Sequence, residues 1–182
     1  VADVILVAAG TVRAENYGPP RATDEVQELR ASRGQAPQPR LAILSRHLDL
    51  APTARFLAEA EPANRPWLVT VEDADAAKLQ ALTPQMDEVI VAGTGSVNLP
   101  TALTAMQRLG ARVVLVEGGP TLNGQLLTAD LVDETCLTIA PDLVGGPSSR
   151  IATGGTEHVQ GLVLDRVLEH DNALFLRYRR RK

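Results

Sequence analysis

Cysteine occurs once in these 182 residues, at Cys136, so no disulfide can form within the chain. Set among Thr135, Leu137 and Ile139, it reads as a small buried apolar residue, and no base that would activate a catalytic thiol is evident near it. Long apolar runs are missing as well. No stretch is long enough to cross a bilayer, and no charged-then-apolar leader precedes a small-residue cleavage site, so the expectation is a soluble, cytoplasmic protein with no membrane partner. Excess positive charge is lacking. With a formal net charge of −4, a nucleic-acid partner has no support, and the basic run Arg177 to Lys182 reads as a solvated end. His47, His158 and His170 stand apart, without the short helical spacing of a metal site, and no metal is expected. A phosphate loop with its lysine and the three-glycine dinucleotide fingerprint are both absent, which disfavours a standard P-loop or Rossmann assignment. There is no initiator methionine, and Val1 to Val7 is strand material from the outset; we expect native sequence ahead of it.

What is present suits one α/β domain over residues 1–182, with 45% apolar and 22% charged residues. Strands are expected at Val4 to Ala8, Leu41 to Leu44, Trp67 to Val71, Glu88 to Val91 and Val113 to Val116. Helices are expected at Asp24 to Ala31, Asp73 to Leu82 and Pro100 to Leu109, the last ending on Gly110, and another begins near Pro120. Such alternation predicts parallel strands with covering helices. The pattern then changes. Glu134 to Ile139 reads as a strand, and Leu162 to Leu168 and Ala173 to Tyr178 as an antiparallel hairpin around His170-Asp171-Asn172. The fold class is therefore three-layer α/β, a mixed and mostly parallel sheet with a C-terminal antiparallel hairpin. Loops are expected at Asn16 to Thr23, Gly34 to Pro39 and Gly145 to Thr156, a core position for Trp67, and a helix N-terminus at Asp73 and Asp75.

The most telling stretch is Val113 to Leu122, where a buried strand delivers Glu117, Gly118 and Gly119 to the start of a helix at Pro120-Thr121-Leu122. Glycines there let main chain approach a ligand, and helix-start N–H groups suit a phosphate. A strand-to-helix turn without a ligand is the plainer alternative. Gly10-Thr11 and Gly93-Thr94-Gly95 follow two other strands, and in an open α/β sheet such turns share the carboxyl edge where ligands gather.

Three segments in order, Ala8 to Tyr17, Val113 to Leu122, and Leu131 through Gly146, resemble the pyrimidine reductase family of riboflavin biosynthesis. That resemblance implies a dihydrofolate reductase-like fold and an NADPH-dependent reduction of 5-amino-6-(5-phosphoribosylamino)uracil, a small-molecule substrate. It assigns Thr11 and Glu15 to the NADPH site, wraps Gly118 to Gln125 (Gly118, Gly119, Pro120, Thr121 and Leu122 among them) around the cofactor phosphates, and turns Glu117 to the pyrimidine, a carboxylate also readable as a cap of the same helix start or the partner of an arginine. Glu15 stands where the family commonly has aspartate. Arg21 falls near the family's substrate-phosphate arginine, about one residue out of step, and is also readable as an ordinary loop arginine. Ser45 and Arg46 stand where the adenosine end of NADPH could be touched, with Arg46 against a 2′-phosphate, or are simply strand-end residues. The resemblance further implies a homodimer, and an additional N-terminal strand, bearing a serine and an aspartate near the nicotinamide, that this sequence lacks. No residue is assigned as the catalytic acid. A dihydrofolate reductase-like enzyme acting on a pterin, a noncatalytic NADPH-binding protein, and a structural oligomer whose glycine turns are only turns stay open as alternatives.

Overall fold

Val4 to Ala8 form β1, an interior strand, because five consecutive apolar residues suit a position covered on both faces, and Val4, Leu6 and Val7 are at most 1% exposed. In this computed structural model, which describes residues 1–147, 150–157 and 159–181, the chain divides into two compact units, Val1–Gly119 and Pro120–Lys182. The fold class is the one expected, α/β and three-layer dihydrofolate reductase-like, with parallel strands first and an antiparallel hairpin last.

In the first unit, β1 is joined by β2 (Arg40–Leu44), β3 (Trp67–Thr70), β4 (Glu88–Val91) and β5 (Val114–Val116) in the order β4-β3-β2-β1-β5, every pairing parallel. The chain steps outward from β1 to β4 and then returns across β1 to lay down β5. That return makes the β1/β5 crevice a topological switch point, the place where open α/β sheets bind ligands outside the carboxyl ends of their strands. The helices are α1 (Ala9–Ala14), α2 (Asp24–Ser32), α3 (Arg55–Ala58), α4 (Ala76–Leu82) and α5 (Leu99–Arg108). Thr23, Asp75 and Asn98 cap α2, α4 and α5 with side-chain oxygens. α5 ends as expected on Gly110 (φ +97), with Gly110 N–H bonded to Gln107 O and Ala111 N–H to Met106 O, a Schellman closure. Val7, Val12, Leu41, Ile43, Phe56 and Leu68 lie in the main core cluster, and Trp67 is buried, its indole N–H on Asp87 Oδ2.

Asp3 ties the start of β1 to the start of β5. Its Oδ2 accepts Arg112 N–H (2.9 Å) and Val113 N–H (2.8 Å), and its Oδ1 accepts Gln35 Nε2 (2.6 Å). Burial alone would push this carboxyl up, but the hydrogen bonds from Gln35, Arg112 and Val113 together outweigh it and hold it below the usual range. A depressed folded-state pKa contributes stability above the unfolded value, and that contribution is lost as pH falls through the folded value. Asp3→Ala is therefore expected to cost about 2 kcal/mol at neutral pH. The deficit against the parent protein should shrink in acid, below about pH 4. Urea titrations of both proteins at the two pH values check this, and a deficit independent of pH would refute it.

The second unit holds α6 (Pro120–Thr128), β6 (Glu134–Ile139), β7 (Leu162–His170) and β8 (Ala173–Arg180), the strands ordered β6-β8-β7 and wholly antiparallel. The β7–β8 hairpin turns through Asp171 and Asn172, both with positive φ (48° and 61°), residues that tolerate the left-handed region a tight hairpin needs. Two expectations are corrected here. Arg177 to Arg180 are not a solvated end: they lie in β8, where Arg177 pairs with Glu134 (2.5 Å), Arg179 with Asp165 (3.2 Å) and Arg180 with Asp130. Cys136 is exposed rather than buried, on β6 opposite Arg177. His158, expected in a polar loop, and Ser148, Ser149 and Lys182 lie outside the described residues. Among the described residues, no helix is long and apolar enough to span a membrane, and no cluster of three or more His, Cys, Asp or Glu side chains could hold a metal.

Candidate active site

The ladder between β1 and β5 continues beyond the strand ends, with Glu117 N–H donating to Leu6 O (3.0 Å) and Ala8 N–H to Gly118 O (2.8 Å). These bonds set Glu117, Gly118 and Gly119 directly beside Ala8 to Thr11 at the switch point. Gly10 and Thr11 do not form a turn, as the sequence led us to expect; they sit in the first turn of α1, which follows β1 without a loop. Gly118 has φ +78°, where a side chain is strained, and the Gly118–Gly119 peptide is cis. A Cβ on Gly119 would stand 2.9 Å from Thr11 Oγ1. Thr11 and Gly119, far apart in sequence, thus meet, and the bare main chain of the glycine leaves the hydroxyl its space.

Glu117 is exposed at the mouth of this crevice, and its Oε2 accepts a 2.6 Å hydrogen bond from the Tyr17 hydroxyl. Burial, then the Glu117 hydrogen bond and the charges of Glu117 and Glu15, push the Tyr17 phenol well above its ordinary value. Glu15 closes α1, its N–H on Thr11 O (2.9 Å), and is exposed. Arg21 lies on the surface against Glu59 (3.6 Å), a carboxylate that also takes Arg55 (2.8 Å).

Ser45 is 5% exposed at the end of β2, where its Oγ accepts Leu48 N–H (3.0 Å). Arg46 beside it lines an open cleft of about 310 Å³ with His47, Asp49, Asp73, Asp75 and Lys78. Asp75 caps α4 as expected, whereas Asp73 accepts Gly95 N–H (2.6 Å) and so fixes the Gly93-Thr94-Gly95 turn.

In the second unit, Pro120, Thr121 and Leu122 form the first turn of α6. Leu122 is 2% exposed, main chain and side chain together, so the structure does not open this residue to a ligand as the resemblance implies.

Sequence reasoning did not single out Tyr17. Its partner lies 100 positions away, and nothing local in the sequence marks that contact.

A family model for the RibD C-terminal domain matches residues 1–175. The 2,5-diamino-6-ribosylamino-4(3H)-pyrimidinone 5′-phosphate reductase of Methanothermobacter thermautotrophicus is 33% identical over 164 residues, covering 84% of this chain and 66% of that protein. The riboflavin biosynthesis protein RibD of Bacillus amyloliquefaciens is 32% identical over 142 residues, covering 78% of this chain but 35% of its own length. The chain thus spans about two thirds of the first relative and about one third of the second. Among solved structures, a pyrimidine reductase-like protein from Corynebacterium diphtheriae superposes with a TM-score of 0.88 at 29% identity, over 100% of this chain and 77% of that one.

Proposed function

The chain belongs to the RibD C-terminal domain family, and from that premise we propose that it is an NADPH-dependent reductase of a ribosylaminopyrimidine 5′-phosphate, with 5-amino-6-(5-phosphoribosylamino)uracil as its substrate. The observation that carries this reading is the meeting of Thr11 with Gly119 at the β1/β5 switch point, beside the carboxylate of Glu117. A Cβ on Gly119 would crowd the Thr11 hydroxyl, so the bare main chain of this glycine keeps that hydroxyl in place, which fits a dinucleotide lying close against the backbone.

NADPH, when bound, would supply a hydride equivalent to C1′ of the ring-opened, imine-like substrate, whose nitrogen takes up one proton. The chain's own work is to hold two reactants in register and exclude water. Thr11 offers a hydroxyl that both donates and accepts, next to the glycine main chain. Glu15 follows on α1 as a second polar group toward the cofactor. Glu117 accepts hydrogen bonds from N–H groups of the aminopyrimidine, and Arg21, released from Glu59, meets the substrate phosphate. In the second unit, the first turn of α6 offers the main-chain N–H of exposed Thr121, behind Pro120, to an anion. Residues 1–182 act as one reductase domain in this reading. Half-exposed Leu164, Val167 and Leu168 on β7 and Phe175 on β8 support association with a second copy.

Loss of NADPH absorbance in the presence of the uracil substrate tests the proposal. The similarity to the Methanothermobacter thermautotrophicus reductase favours a second reading, in which the 2,5-diaminopyrimidinone congener is the substrate, so both compounds belong in the assay. Unchanged absorbance with both would sink the reductase reading.

Ser45 and Arg46 are assigned to the adenosine end. Arg46 is the exposed guanidinium of the 310 Å³ cleft, and a 2′-phosphate is the group that separates NADPH from NADH. Arg46→Ala is expected to raise the KM for NADPH about tenfold and leave that for NADH unchanged, from the loss of one charge-assisted hydrogen bond. Equal effects on the two cofactors would remove Arg46 from the site.

A further inference from the structure

Tyr17 is a partly buried phenol, and its hydroxyl bridges the exit of α1 to the carboxylate after β5 at 2.6 Å. The main chain that carries it is also held. Asn16 takes a left-handed conformation (φ 49°), Tyr17 N–H donates to Val12 O (3.1 Å), and Arg55 Nη1 donates to Asn16 O (3.2 Å). Arg55 is itself fixed by two hydrogen bonds to Glu59, at 2.8 and 3.3 Å, and its guanidinium packs over Gly18, where a Cβ would approach to 3.1 Å. A tyrosine anchored on both sides in this way is a stiff support, because few torsions remain free once its turn and its hydroxyl are both bound.

We propose that Tyr17 is a positioning residue of the substrate site, whose hydroxyl holds Glu117 Oε2 so that Oε1 is left to accept an N–H of the pyrimidine. This rests on the reductase reading above. A carboxylate at the end of an exposed side chain otherwise samples several rotamers, and a substrate would have to order it on binding. With Oε2 occupied, the site offers one defined acceptor. The Tyr17 proton is committed to Glu117, so this edge presents the Oε1 acceptor to the ring and no phenolic donor.

Tyr17→Phe removes one hydroxyl and leaves the ring. The expected result is a rise of about tenfold in the KM for the pyrimidine, with kcat and the KM for NADPH within about twofold of the parent values, as for loss of a hydrogen bond to a charged group. A pyrimidine KM that stays put, or a parallel rise in the NADPH KM, overturns the proposal. A parent protein that consumes no NADPH with either pyrimidine overturns the reductase reading instead, so the two failures are told apart.

A second measurement reads the contact without turnover and serves even where Tyr17→Phe does not fold. The chain has two tyrosines, Tyr17 and Tyr178. Following phenolate absorbance against pH in a Tyr178→Phe background, Glu117→Gln is expected to bring the Tyr17 ionisation to lower pH, because the charged acceptor is gone while Glu15 remains. An unchanged titration means that Tyr17 does not hold Glu117, and the proposal fails.

Discussion

Gly124→Ala is expected to destabilise the protein by about 2 kcal/mol or more, although it replaces a glycine inside a helix by the best helix former. Propensity alone gives the opposite sign, roughly 1 kcal/mol in favour of alanine. Packing decides the matter. A Cβ on Gly124 would collide with Thr153 O and lie 2.8 Å from Thr153 C and 3.0 Å from Gly154 O, all main-chain atoms that no rotamer change can move. The segment they belong to is bonded to α6, through Thr153 N–H to Pro120 O (3.0 Å) and Asn123 Nδ2 to Ile151 O (2.9 Å). Gly155 lies close to Thr128 Oγ1, which a Cβ there would meet at 2.6 Å. Either the segment lifts and forfeits these bonds, at roughly 1 kcal/mol each, or the helix moves. For a chain of this size, the loss corresponds to a fall in Tm of roughly 4–8 °C. Gly10→Ala is the control: it lies in α1 at negative φ with nothing within 4 Å of its Cβ, and is expected to be neutral or slightly stabilising. Thermal melts of the two variants check the pair, and a Gly124→Ala protein as stable as the parent would refute the packing argument.

The same competition between local preference and distant partners decides what the sequence disclosed. β1, β4 and β6 fall at the residues expected, because short apolar runs bounded by polar or turn residues carry their own signal. So does the β7–β8 turn, where Asp171 and Asn172 are chemically suited to the conformation they adopt. α1 was hidden because Ala9-Gly10-Thr11 reads as a turn, and only the exit direction of β1 makes it the start of a helix. α3, four residues long, has too little periodicity to show. The arginines of β8 looked solvated because their acids, Glu134, Asp165 and Asp130, lie on other segments. In the site, the glycines and Glu117 were legible from local chemistry. The placing of Tyr17 against Glu117 and of Arg55 against Asn16 depends on strand order and loop path, and could be read only from the fold.

Gly119→Ala is expected to lower NADPH affinity by about a hundredfold while leaving the fold close to intact. The backbone permits alanine, since Gly119 is not among the glycines with positive φ. The single atom in the way is Thr11 Oγ1, at 2.9 Å, the end of a side chain that can rotate. Folding then loses on the order of 1 kcal/mol for an unfavourable rotamer. Binding loses more, because the hydroxyl leaves its position and a methyl group occupies the space against the main chain. A double-mutant cycle separates this from general damage. If Gly119→Ala acts by displacing the Thr11 hydroxyl, Thr11→Ala already forfeits that hydroxyl, and adding Gly119→Ala should cost far less than it does alone. Calorimetric titration of NADPH into the two single variants and the double variant gives the coupling. Strict additivity would mean that Thr11 and Gly119 act separately, and that the crevice between β1 and β5 does not bind the cofactor in the way proposed.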